Sequence, residues 1–204
     1  MAAEKKFFSA ANMAKLGVLL AVVIALQAFG GSINIGIVSL NFTLIPIVLG
    51  AILLGPAAGA LLGFACGVVV LVQVIMGLSP FYVIIWANSP FVTVLTCIVK
   101  TMAAGAAAGA LFRLIEKKNR YVAVFAASAA VPVVNTALFI VGCLCMQDSI
   151  AMYQATAEAG GMNVFLFILV GLVTFNFFIE LAVNLIVAPA LNTVIGAVEK
   201  RIAR

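Results

Sequence analysis

The sequence predicts an all-α membrane protein of six transmembrane helices with both termini in the cytoplasm, and three observations carry that expectation. The first is composition: 66% of the 204 residues are hydrophobic and 8% charged, with a mean hydropathy of +1.33, whereas a globular domain is roughly 45–50% apolar and about 25% charged. The second is length. A spanning helix needs about 20 mostly apolar residues, and the chain accommodates six with short connections, leaving no stretch for a soluble domain. The third is where the charge of +5 sits. Lys5, Lys6 and Lys15 precede or open the first apolar run, Arg113, Lys117, Lys118 and Arg120 lie between the fourth and fifth, and Lys200, Arg201 and Arg204 close the chain. The stretches 30–43, 77–89 and 147–162 hold no Lys or Arg, only Asp148 and Glu158. By the positive-inside rule the basic clusters are cytoplasmic and the three uncharged or acidic loops are outside. Topology and lipid headgroups account for the basic residues, so nucleic acid is not an expected partner.

Residues 1–204 are therefore expected to form one membrane-embedded domain, with helices near 14–29, 42–54, 57–76, 90–116, 121–146 and 163–190. The first resembles a secretory signal in having Lys5 and Lys6 ahead of Leu16–Leu26, but no small-x-small cleavage site follows, so it is read as an uncleaved span. Ala10 and Ala14, then Gly17, Ala21 and Ala25, recur at four-residue intervals, and such small-residue faces let helix backbones approach closely. The loop 30–41 is rich in Gly, Ser and Asn, and its alternating Ile33, Ile35 and Ile37 predict an extended lid over the outer mouth. The second helix is short and contains Pro46. Gly55-Pro56 makes a turn into the third, where Gly59, Gly63 and Gly67 form another small-residue face and Gln73 is the lone polar side chain. The outer loop 77–90 carries Tyr82, Trp86 and Asn88, which suit either an interfacial aromatic belt or contact with a solute.

The fourth helix holds Lys100. Counted from Arg113 it lies about 20 Å deep at ~1.5 Å per residue, inside a hydrocarbon core of about 30 Å. Beyond it, AAGAAAG from Ala103 to Gly109 is a third small-residue face. The fifth helix is interrupted by Pro132, with Asn135 and Thr136 one turn on, either to satisfy the freed carbonyl or to face a solute. In the sixth, Asn176, Glu180 and Asn184 share one face at four-residue spacing. Glu180 is about 18 Å deep by the same count from Asn192, so a buried Lys100–Glu180 pair is geometrically allowed. Pro189 is expected to break the run, leaving 191–204 as a cytoplasmic surface helix.

The chemistry present is that of binding. There is no His, the four cysteines, Cys66, Cys97, Cys143 and Cys145, form no CxxC pair, and hydrolase, HExxH and P-loop motifs are missing. No enzyme, metal site, cofactor or autonomous ATPase is expected, and the cysteines read as packing residues. Intramembrane ionisable groups, by contrast, mark functional sites by default. The candidate substrate-binding set is Asn176, Glu180, Asn184, Lys100, Asn135, Trp86 and Asn88.

Four stretches, LNFTLIPIVLGAILLGPAAGALLGFACG (Leu40–Gly67), IVKTMAAGAAAGALFRLIEKKNR (Ile98–Arg120), VPVVNTALF (Val131–Phe139) and NFFIELAVNLIVAP (Asn176–Pro189), occur in an order that resembles the substrate-binding S components of energy-coupling factor (ECF) vitamin transporters. The resemblance runs the full length. It implies a multi-pass plasma-membrane subunit that holds a small-molecule vitamin near the outer face and docks on a transmembrane coupling subunit driven by two cytoplasmic ATPases, toppling to release its cargo. The family's AxxxA docking motif has two counterparts here, Ala10 with Ala14 and Gly17 with Ala21. The cargo it points to is a small water-soluble vitamin, pantothenate-like if Lys100 meets a carboxylate and riboflavin-like if amides and aromatic cover dominate. The competing expectations are a structural or assembly membrane protein, whose small-residue faces serve only association, and a solitary secondary carrier.

Overall fold

A computed structural model describes residues 9–30, 34–35, 38–39, 42–157 and 161–202. The main elements are α1 (Ala10–Gly30), α2 (Leu44–Leu54), α3 (Pro56–Ile75), α4 (Pro80–Asn88), α5 (Pro90–Ile115), α6 (Arg120–Cys145), α7 (Gln147–Thr156), α8 (Val164–Leu166), a π-helical segment Phe167–Val173, and α9 (Thr174–Ile202). Five helical stretches are long and apolar enough to cross a membrane, Ala10–Phe29, Pro56–Ile75, Pro90–Ile115, Arg120–Cys145 and Val164–Ala197, and the shorter Leu44–Leu54 is as apolar. The all-α expectation holds. Large apolar side chains such as Phe29, Phe91, Leu114 and Ile186 are about three-quarters exposed, which suits lipid and would be costly in water.

Helix starts follow local chemistry. Pro56, Pro80 and Pro90 open α3, α4 and α5, where a missing N–H costs nothing. The side chains of Ser79, Asn119 and Asn163 accept the amides of Tyr82, Val122 and Leu166 at 3.2, 3.1 and 2.7 Å, satisfying first-turn donors. Between α2 and α3, Gly55 has φ +100°, a left-handed turn open to glycine, and a side chain there would meet the Arg113 guanidinium.

The glycine faces are the centre of the packing. A Cβ at Gly59 would strike the Gly105 carbonyl, one at Gly63 the Thr101 carbonyl and one at Gly67 the Cys97 carbonyl, while Gly109 abuts Pro56. The second and third small-residue faces therefore mate with each other, bringing α3 and α5 into backbone contact. Helix α5 also packs along α6, and α9 lies against α6. Of the long helices α3 is the most buried and α1 among the least. Leu16, Leu19, Val23 and Gln27 of α1 face the core, whereas Ala10, Ala14, Gly17, Ala21 and Ala25 are all exposed.

Ala14, Lys15, Leu53 and Val194 border one groove and Arg113 meets Gly55, so both described ends of the chain lie at the basic end of the bundle. The stretches 76–89 and 146–163 lie at the other.

Four features depart from expectation. The break at Pro189 is absent. Helix α9 continues to Ile202 because Ala188, Leu191 and Ile195 pack into the same core on both sides of the proline, offsetting its lost hydrogen bond. Pro132 likewise sits inside continuous α6, buried beside Val131. The stretches expected as outer loops hold two helices, α4 and α7, which pack on each other over a cluster of Ile85, Cys143, Met146, Ile150 and Phe167. Cys145 is exposed rather than packed. Of the expected lid, a two-residue ladder pairs Asn34 with Ser39 and Ile35 with Val38, and its second strand approaches α9. The other lid residues lie outside the described ones, as do the side chains of Lys200, Arg201 and Arg204.

The glycine contact predicts a sharp contrast. Gly63→Ala forces a methyl into the Thr101 carbonyl and should cost about 1–3 kcal/mol. Gly17→Ala meets nothing within 4 Å and should leave the thermal midpoint of the detergent-solubilised protein unchanged. Equal midpoints in the two variants would contradict this packing.

Candidate substrate-binding site

At the end of the bundle away from the basic clusters, α1, α3, α5, α6 and α9 splay around a cavity of about 630 Å³, roofed by α4, α7 and the flanking residues Leu78, Ser79, Ala157 and Met162. Its size is that of small-molecule sites, about 300–1,000 Å³. The splay follows from the sequence. Toward this end the glycines of the α3–α5 contact give way to Gln73 and Val74 on α3 and to Thr93, Thr96 and Lys100 on α5, all of which line the cavity.

Four of the candidate residues, Lys100, Asn135, Asn176 and Glu180, come together on its wall. Lys100 and Glu180, brought to one depth by counting residues, do reach one chamber. They do not form the ion pair that their depth allows: no nitrogen–oxygen approach of 4.0 Å or less joins them. The Lys100 ammonium sits 4.9 Å from the centroid of the Phe139 ring instead. Asn135 is 6% exposed, and its side-chain oxygen has no hydrogen-bond partner among the described residues. Asn176 donates to the Leu172 carbonyl of the preceding π-helical segment at 3.4 Å.

The other three candidates lie elsewhere. Asn184, 1% exposed, is one turn beyond Glu180 and donates to its backbone carbonyl at 2.8 Å, below the cavity floor and within the helix packing. Trp86 packs against the core. Asn88 is exposed and donates to the Ile84 carbonyl at 2.8 Å.

Three groups of lining residues were not in the candidate set. Gln27 of α1 and Gln73 of α3 clasp one another: Gln27 Nε2 donates to Gln73 Oε1 at 3.2 Å and Gln73 Nε2 to the Gln27 carbonyl at 2.9 Å. Thr43 and Cys66 donate to Gln27 Oε1 at 3.0 and 3.4 Å. The sequence signal was present, a solitary glutamine in each of two apolar helices. Phe81, Tyr82, Phe139, Tyr153 and Phe167 form an aromatic wall, Phe81 meeting Tyr153 edge-on at 5.1 Å. Burial pushes the Tyr82 phenol above its usual pKa, so it remains a neutral donor. The π-helical segment supplies Phe167, Gly171, Leu172 and Val173. Its wide turn ends where Thr174 Oγ1 donates to the Leu169 carbonyl, five residues back, at 2.6 Å. Single π turns inside helices often accompany functional sites, and this one resets the register so that Asn176 and Glu180 face the cavity.

Removing one half of the clasp leaves buried polar groups unpaired, at about 1–3 kcal/mol. Gln73→Leu should therefore lower the thermal midpoint clearly, whereas Asn88→Ala, which removes an exposed bond within one helix, should not. A Gln73→Leu midpoint equal to that of Asn88→Ala would show that the clasp contributes nothing.

The model of the family described as ECF transporter, substrate-specific component, matches residues 11–192, from the first turn of α1 into α9 and across every helix that lines the cavity. Comparison with curated proteins gives no match. The chain is a multi-pass membrane protein and belongs to the family of ECF transporter substrate-specific components, transporter subunits rather than enzymes.

Proposed function

We propose that this chain captures a small water-soluble vitamin, pantothenate-like or riboflavin-like, from outside the cell and delivers it to an ATP-driven importer. The observation that carries the proposal is the cavity of about 630 Å³. It lies at the end remote from the basic clusters, the outer end if both termini are cytoplasmic by the positive-inside rule. The wall combines ionic, amide and aromatic groups, which suits a polar solute with apolar parts. With no P-loop in the sequence, energy has to come from partners, namely a transmembrane coupling subunit and two cytoplasmic ATPases.

Docking on the coupling subunit is assigned to the small-residue face of α1. Ala10, Ala14, Gly17, Ala21 and Ala25 are exposed, and nothing within the described chain fills the space beside Gly17. The other two small-residue faces are used up inside the bundle, so this is the one left to receive a second helix.

Two sets of variants separate binding from docking. Glu180→Gln should weaken vitamin affinity by about tenfold or more, whereas Cys143→Ala, at a buried position off the cavity wall, should leave it unchanged. Gly17→Leu and Ala21→Leu should abolish co-purification with the coupling subunit while preserving vitamin binding by the isolated protein. In cells carrying all subunits, uptake of labelled vitamin should stop when the ATPases are inactivated. Uptake that persists without ATP and collapses with a proton ionophore would instead identify a solitary secondary carrier. Failure to bind any vitamin, with association intact, would identify an assembly protein.

A further inference from the structure

The cavity holds an acid and a base, Glu180 and Lys100, that form no ion pair with each other. Lys100 projects from α5 and Glu180 from α9, and these helices pack chiefly on others, α5 on α3 and α6 and α9 on α6. Both side chains line the chamber without a hydrogen bond or ion pair to any described residue. The contact of Lys100 with Phe139 returns only part of what desolvating an ion costs. On α6, which packs against both helices, the Asn135 side-chain oxygen is buried and has no partner among the described residues. Three helices thus present a cation in search of an anion, a carboxylate that accepts hydrogen bonds, and an amide oxygen that also accepts.

A neutral cargo would strip water from Lys100 and return nothing to it. A cargo with a carboxylate would replace that water with a charge-assisted bond, and one that also carries donors would satisfy Glu180 and Asn135. The aromatic wall points the same way. Phe81, Phe139, Tyr153 and Phe167 meet one another at interplanar angles of 49–71°, so these contacts form no parallel-faced slot for a flat ring.

We propose that the cargo is a flexible carboxylate-bearing solute, its carboxylate seated at Lys100 against Phe139 and its hydroxyl, amide or ammonium donors seated at Glu180 and Asn135. This rests on the reading of the cavity as the vitamin site and narrows that reading from two cargo classes to one, the carboxylates. A flavin-like cargo is excluded by it.

The test uses the full chain in detergent, stripped of bound small molecules and titrated calorimetrically with matched probes: pantothenate and its alcohol, biotin and its amide, nicotinate and its amide, and riboflavin. One carboxylate should bind about tenfold to a hundredfold more tightly than its uncharged counterpart. Lys100→Gln should erase that difference, Lys100→Arg should retain part of it, and Glu180→Gln should weaken binding without removing the preference. Should Lys100→Gln fail to fold, the matched probes on the unaltered protein decide alone. Tightest binding of riboflavin, or equal binding of a charged and uncharged pair, overturns the inference and leaves the vitamin-binding function standing. Binding of no probe at all overturns both.

Discussion

In a bilayer the hydrophobic effect does not distinguish helix–helix from helix–lipid contact, so a bundle is held by close packing and by polar bonds between helices. Here that constraint is met chiefly in one place, the backbone contact of α3 with α5 through Gly59, Gly63, Gly67, Gly105 and Gly109. The carbonyls of Thr101, Cys97 and Gly105 lie where side chains would otherwise be, and α6 and α9 build outward from this pair. Everything else is positioned by where that contact ends. Larger and polar residues replace the glycines toward the loop end, the helices part, and the space between them becomes the cavity.

The same geometry governs charge. A lysine and a glutamate in a tightly packed bundle would be forced to pair, because no other partner would be within reach. In the opened end, Lys100 rests over an aromatic ring and Glu180 faces the chamber. The clasp of Gln27 with Gln73 fixes the adjoining end of α1 to the cavity wall. The helix whose small-residue face is exposed is thereby tied directly to the cavity wall.

Much of this was legible in the sequence. The apolar runs gave the helices, the four-residue spacing of glycines identified the mating faces, and the depth of Lys100 and Glu180 brought them to one chamber from different helices. Other features left weaker traces. Asn184 shares a face with Asn176 and Glu180 in a regular helix, but a face is not a depth, and one turn suffices to carry it from the cavity into the packing. The π-helical segment leaves no distinct periodicity in the sequence, and it is seen only in the backbone of Phe167–Val173. Helices α4 and α7 were hidden because loop composition speaks to exposure, while their cluster around Ile85 and Ile150 forms only in three dimensions. Pro132 and Pro189 misled for the same reason, since local rules for proline do not count the packing on either side.

The central claim is that the unpaired charges of the cavity exist to be satisfied by a cargo. It is tested most directly by purifying the full chain from its own cells under mild conditions and identifying, by mass spectrometry of the extracted small molecules, what travels with it. The account predicts one carboxylate-bearing solute with hydrogen-bond donors, present in near-equimolar amount and absent from a Lys100→Gln preparation. An uncharged solute held equally well by both preparations would contradict it.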